Sequence, residues 1–337
     1  MSASSDTRPA RHEAPQSPTD ISKAGWTKVL RRSVNQFKHD DVTDRAAALT
    51  YFGVLSLFPA VLVLVSILGL LGRDTSNKLL DNVGQLAPGG VQTFLRGVID
   101  QTQGRTGAAG AAVIVGIVLA IWSASGYIAA FMRAMNTVYG VDEGRPVWKT
   151  APVRLGVTLA VVVMLVVSAA IVVFTGAIAR QFGHALGLGD GVLLVWDIAK
   201  WPVLLVLVSV MFSLLYWACP NVKQPGFRWI TPGGVLAVVV WLLGSGAFAL
   251  YVSFAGSYNR TYGTLATVII FLVWLWITNI AILLGAEFNA ESERQRAIRA
   301  GLPEDVEPFV PVRDTRKLSD PERERVDEAV RRRDGAR

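Results

Sequence analysis

The stretch VRLGVTLAVVVMLVVSAAIVVFTGAIA, residues 153–179, decides what kind of protein this is. At 1.5 Å per helical residue it is long enough to cross a hydrocarbon core roughly 30 Å thick. Five more apolar stretches, at 46–72, 108–134, 192–218, 233–254 and 263–285, alternate with polar loops. An unpaired backbone amide in lipid costs several kcal/mol, so such runs must be helices or strands of a closed barrel. Barrel strands alternate apolar and polar residues over about ten positions, and these runs do not. The reading is an all-α polytopic membrane protein with six transmembrane helices.

Composition agrees. Of the 337 residues 52% are hydrophobic and 18% charged, and the apolar ones gather in blocks rather than at amphipathic spacing, which argues for one membrane domain with soluble ends. Trp122, Trp148, Trp196, Trp201, Trp217 and Trp229 lie in or near the proposed helix ends, where aromatic belts form. A net charge of +7 could point to nucleic acid, but its distribution points to topology and to no nucleic-acid partner. Lys23, Lys28, Arg31, Arg32, Lys38 and Arg45 precede the first span; Arg133, Arg145, Lys149 and Arg154 surround the second-to-third loop; Lys223 and Arg228 lie in the fourth-to-fifth. The third-to-fourth and fifth-to-sixth loops carry only Arg180 and Arg260, and the longer first outer loop offsets its basic residues with Asp74, Asp81 and Asp100. Basic loops stay in the cytoplasm, so with six spans both termini are expected there.

Outside the spans, residues 1–20 read as disordered, and 21–40 as an amphipathic helix lying on the membrane interface. Trp26, Val29, Leu30, Val34 and Phe37 recur at helical spacing, while Lys28, Arg31, Arg32 and Lys38 fall largely elsewhere on the wheel. A solvated linker helix is the plainer alternative. The membrane domain is placed at 41–291 and a charged, largely disordered cytoplasmic tail at 292–337. In the first outer loop, Leu79, Leu80, Val83 and Leu86, then Val91, Phe94, Leu95, Val98 and Ile99, form two short apolar stripes broken at 87–90, which predicts two capping amphipathic helices. The first span serves as an uncleaved insertion signal, since no apolar h-region precedes it.

Ionisable residues inside spans are costly and therefore informative. In WDIAKWP (196–202), Asp197 and Lys200 are three apart on one helix face and can pair, with Pro202 following. They suit a solute contact near the outer leaflet, or a snorkelling pair between belt tryptophans. A second group maps to the cytoplasmic side: Asp41, Asp44 and Arg45 lead into the first span, which holds Tyr51 and Pro59. Arg133 and Asn136 end the second, Tyr216 and Asn221 the fourth, and Glu287 and Asn289 the sixth. Arg133 could pair with Asp41, Asp44 or Glu287 if these ends converge on a shared polar vestibule; ordinary capping and topology marking is the alternative. Ser123, in WSASG (122–126), suits close helix packing or a pliable lining segment, and Tyr262 belongs to a polar-aromatic cluster in the last outer loop.

The lone Cys219 excludes an internal disulfide and a multi-thiolate metal site. His12, His39 and His184 lie in three distant contexts, and no Walker loop, G-x-S-x-G elbow or H-E-x-x-H is present. The expectation is no enzyme, no cofactor and no metal.

The same segments carry a resemblance. DDVTDRAAALTYFGVLSLFP (40–59), the 122–140 segment ending MNTVYG, LYWACPN (215–221), YGTLA (262–266) and LGAEFN (284–289) together resemble the YihY / virulence factor BrkB family of bacterial inner-membrane proteins. That resemblance implies a six-span helical bundle with both ends cytoplasmic. Members are linked to serum resistance, envelope integrity and export of lipids or their precursors. The older family label of ribonuclease BN finds no support here, because the chain lacks the ligand cluster of a metal-dependent nuclease. The function expected is transporter- or flippase-like handling of a lipid-related amphiphile or small solute, with membrane lipids as partners. The alternative is an adaptor in an envelope complex, and either role is compatible with a homo-oligomer or an envelope-complex partner.

Overall fold

The computed structural model describes residues 23–70, 106–173, 190–224, 231–254 and 264–335, with side chains described for all of these except 23–24, 58–70, 106–113, 173, 190, 231, 264, 267 and 335. The N-terminal segment, the two expected loop helices between 79 and 99, and Tyr262 lie outside them. The described residues form eight helices: α1 Lys23–His39, α2 Val42–Leu70, α3 Thr106–Val138, α4 Val147–Val173, α5 Asp190–Ala218, α6 Thr231–Phe254, α7 Thr264–Arg299 and α8 Asp320–Gly335. Among the described residues there is no strand, only an isolated bridge between Val222 and Val312. Helices α3 to α7 are long and apolar enough to cross a membrane, and α2 is a further helix of 29 residues.

Helices α2 to α7 form a ring in chain order. Each packs on its neighbour in sequence, and α7 closes the ring on α2 while also touching α3. The α2–α3 and α6–α7 seams are the most extensive, whereas α4 and α5 are held more lightly. Because successive helices alternate in direction, one end of the ring collects the start of α2, α4 and α6 and the finish of α3, α5 and α7. Burial is concentrated at that end. Among the described residues, the only buried ones on α4 are Val157 and Thr158; on α5 none precedes Phe212; on α6 none follows Val238.

Two segments expected to lie apart are instead built onto this end. Helix α1 docks on α7: Val29 and Ser33 are buried and Trp26 stacks on Phe288 at 5.4 Å, while Leu30 and Val34 stay exposed. Only part of its apolar side is thus left for a membrane surface. Where a largely disordered tail was expected from 292, α7 continues unbroken to Arg299. It stops there because Gly301, at φ +100°, closes a Schellman turn: Leu302 N–H donates to Ala297 O and Gly301 N–H to Ile298 O. The chain then folds back, burying Leu302, Val306, Phe309 and Val310. Glu322 accepts the Ser319 N–H at 2.7 Å, a capping-box bond that starts α8. Arg325 reaches Asp142, and Arg332 reaches Asp305. Charge density implied solvation, but the apolar residues spaced through 302–312 supply enough buried surface to order the segment.

Candidate functional site

The packed end is organised by two asparagines. Asn136 sits in the last turn of α3, which is closed just beyond its end by Gly140 (φ +61°), with Val141 N–H donating to Asn136 O. Its side chain accepts the Asn221 N–H at 2.8 Å and donates to Glu143 at 3.0 Å. Asn221, fully buried just beyond α5, donates to the backbone oxygens of Asp142 and Asp314 and accepts the Asp314 N–H. One side chain thereby ties the α3–α4 loop, the α5 terminus and the C-terminal segment. Arg145, only 3% exposed, grips Glu143 with two 2.7 Å bonds and donates to the Cys219 carbonyl at 2.7 Å, satisfying an orphan acceptor at the end of α5. Arg313 does the same for Trp217 O and Val222 O.

The electrostatics follow from this packing. Burial pushes the Cys219 thiol up to about 12, against the opposing pull of Arg145 and Arg313, so it is an inert thiol. Burial also raises the Glu143 carboxyl, but the bonds and charge of Arg145 and the Asn136 bond outweigh it and hold the group below its ordinary value. Hydrogen bonds from Arg316 and Lys149 hold Asp314 well below the carboxylate range. A lowered carboxylate stabilises the fold above its unfolded pKa, and that contribution is lost as pH falls through the folded value. Thermal midpoints in detergent should therefore hold steady down to about pH 5 and drop below about pH 4. Glu143→Gln and Asp314→Asn should each narrow their deficit against wild type as pH falls through this range; a deficit independent of pH would refute the assignment.

Deeper in the ring, polar groups pair across helices. Tyr127 donates to Asn279, which donates to Thr50, joining α3, α7 and α2. Trp241 donates to Thr278, Trp274 to Ser245, and Tyr216 to the Ile282 carbonyl at 2.6 Å. Asn289 accepts the Gly233 N–H at 2.9 Å, fastening the start of α6 to α7. Tyr127, Thr50 and Asn279 were not singled out in the sequence, where each is an ordinary polar residue in an apolar run.

Glu287 faces the seam between α7 and α1. It is 0% exposed, and neither carboxyl oxygen accepts a hydrogen bond from the protein. Its neighbour is Asp40, at the end of α1.

The expected residues thus divide. Asn136, Tyr216, Asn221, Glu287 and Asn289 do converge at the packed end. Asp41 and Asp44 are exposed: Asp41, at φ 49°, forms the turn that starts α2, and Asp44 occupies its first turn. Arg45 donates to the Asp40 carbonyl, capping α1. Arg133 pairs with none of Asp41, Asp44 or Glu287; it lies over the Phe52 ring at 5.8 Å, because its α3 position points outward. Tyr51 is 62% exposed, and Ser123 donates to Leu55 O across the α2–α3 seam. Pro59 lies within the continuous α2, its side chain outside the described set. Asp197 and Lys200 pair at 2.9 Å on α5, with Lys200 also 5.7 Å from the Trp201 ring, and the helix runs on through Pro202. From Lys200 to Tyr216 is about 24 Å along α5 at helical rise, so this pair lies far from the packed end. Among the described residues no group of three His, Cys, Asp or Glu is placed to hold a metal ion.

Comparison with known proteins places this architecture. The profile of the family described as Virulence factor BrkB matches residues 33–307. The chain is 29% identical over 269 residues to the ribonuclease-like protein YfkH of Bacillus subtilis (strain 168), covering 80% of this chain and 96% of that protein. It is 30% identical to a UPF0761 membrane protein of Alkalilimnicola ehrlichii, covering 75% of this chain but 56% of that longer relative. A UPF0761 membrane protein of Vibrio vulnificus (strain CMCP6) is 27% identical, with 88% and 92% covered. No solved structure matches. The chain belongs to the Virulence factor BrkB family of membrane proteins.

Proposed function

We propose that this BrkB-family chain is a non-enzymatic, transporter- or flippase-like protein of the bacterial inner membrane that handles a lipid-related amphiphile or small solute of the cell envelope. In this reading α2 is the sixth span, and the basic residues of the loops support a cytoplasmic position for the packed end and both termini. The observation that carries it is the unequal packing of the ring: buried residues gather at one end, and among the described residues most of α4, α5 and α6 has none toward the other. A passive anchor gains nothing from loosely packed helices, because close packing is what stabilises helices against one another in lipid. The exposed apolar faces of α5 around the Asp197–Lys200 pair suit a molecule with an acyl body and a charged head. Rocking of α4 and α5, the lightly held pair, against α2, α3, α6 and α7 would open the route.

The test uses purified protein in liposomes with fluorescent phospholipid and labelled small solutes in separate arms. Asp197→Asn should slow movement several-fold, while Glu143→Gln, at the packed end, should act mainly on stability. Wild-type liposomes that move neither probe would sink the transport reading. An adaptor role has its own support in the ordered C-terminal module, whose α8 presents a charged outer surface. It predicts that removing α8 abolishes the cellular role while Asp197→Asn is silent.

A further inference from the structure

We propose that α1 lies in the plane of the membrane, seating Leu30 and Val34 in the lipid leaflet at the packed end and holding anionic phospholipid headgroups on Arg31 and Lys38. Contacts with α7 fix its direction. Asn279 donates to Thr50 at 3.1 Å, and a Cβ added at Gly53 would stand 3.2 Å from Leu275, so α2 and α7 run antiparallel in a defined register. Val42 precedes Thr50 by eight residues and Glu287 follows Asn279 by eight, so α2 begins level with Glu287. His39, the end of α1, shares that level, because only Asp40 and Asp41 intervene. Trp26, near the other end, stacks on Phe288. From Trp26 to His39 is about 20 Å at helical rise, yet both reach one level of α7. Helix α1 thus runs across α7 rather than along it. At that level the apolar run 263–285 gives way to charge, which is the depth of a membrane interface.

The two flanks of α1 then have different surroundings. Arg32 pairs with Glu304 at 2.8 Å. Glu304 lies between the α7 terminus at Arg299 and Glu307, whose partner Arg294 is already past Glu287, so Arg32 points away from the spans. Leu30 and Val34 each stand two residues from Arg32, about 160° around the helix, and so point back toward the spans. They are 50% and 48% exposed, although Val29 and Ser33 beside them are buried. Lys28, Arg31 and Lys38 are exposed on the side opposite Val29 and Ser33. Residues 23–39 contain no acidic residue, and the exposed Asp41 and Asp44 come only after the turn into α2. An apolar strip aimed at hydrocarbon, with a basic strip beside it at headgroup depth, fits an anionic phospholipid surface. Arg31 can take a phosphate through two parallel N–H bonds, and Lys38 adds a point charge. The surface holds its lipid whether or not the chain transports.

The test uses the full chain, a single copy per nanodisc, with a fluorophore attached at Leu30→Cys, Val34→Cys or Asn35→Cys; the buried Cys219 stays unlabelled. The discs hold phosphatidylcholine with an equal fraction of either brominated phosphatidylglycerol or brominated phosphatidylcholine. Labels at Leu30→Cys and Val34→Cys should emit as in an apolar medium and be quenched by bromolipid. The label at Asn35→Cys, on the exposed side, should instead be quenched by aqueous iodide. Brominated phosphatidylglycerol should quench the first two about threefold more than brominated phosphatidylcholine, and Arg31→Gln with Lys38→Gln, or molar salt, should erase that difference. Iodide-quenched labels at Leu30→Cys and Val34→Cys would overturn the in-plane placement. Equal quenching by the two bromolipids would overturn the anionic recognition. Labels shielded only in discs loaded with paired copies would overturn the lipid assignment and make a second copy of the chain the occupant.

Discussion

Asn221→Ala should release the C-terminal segment from the helix ends and give the largest loss of stability of any single polar truncation at this end. Its side chain makes three hydrogen bonds, to Asp142 O, Asp314 O and Asp314 N–H, in a site closed to water. Each buried group left without a partner costs about 1–3 kcal/mol, so a total of about 4 kcal/mol is expected. The bridge between Val222 and Val312 and the adjoining Arg313 N–H to Asn221 O bond would be strained in turn. Limited proteolysis should then cut within 300–319, where wild type resists, and the thermal midpoint in detergent should fall. Unchanged proteolysis would show that the buried apolar residues of 302–312 hold the segment unaided.

Gly285→Ala should be nearly as damaging, although it adds one methyl group. A Cβ there would meet the Gly233 carbonyl oxygen, the Tyr216 hydroxyl at 2.6 Å and the Ala237 Cβ at 2.8 Å. Two of these belong to α6 and one to α5, and a backbone carbonyl cannot swing aside as a side-chain tip can. The helices must separate, at about 1–3 kcal/mol for overpacking. The neighbouring Tyr216 to Ile282 bond should weaken with them. Gly246→Ala is the control: nothing lies within 4 Å of its added Cβ, so greater helix propensity should stabilise it by up to about 1 kcal/mol. Equal thermal midpoints for the two variants would refute close approach at the α5–α6–α7 junction.

Several features of the packed end were legible in the chain. Asn136, Asn221, Glu287 and Asn289 stood out because polar residues at the ends of apolar runs need partners. The ordered C-terminal module also left signals: Gly301 followed by Leu302 and Pro303 marks a helix stop, and Ser319 with Glu322 a helix start. Those local signals outranked the charge density that suggested a solvated tail. Asp40 was hidden for a different reason. Beside Asp41 and Asp44 it reads as one more acidic residue at a helix start, and only the folding of α1 onto α7 buries it. Arg133 misled in the opposite sense, since its charge gave no hint of which side of α3 it would occupy.

By itself, the sequence determined that this chain belongs in a membrane and where its long helices run, because hydrocarbon permits no unpaired backbone and long apolar runs have few alternatives. Tertiary structure alone decided that the ring closes through α7 and α2, that burial among the described residues gathers at one end, and that α1 folds onto α7. Those outcomes depend on which faces of separate helices meet, and contacts such as Asn279 to Thr50, 229 positions apart, are set by packing in three dimensions rather than by any local pattern.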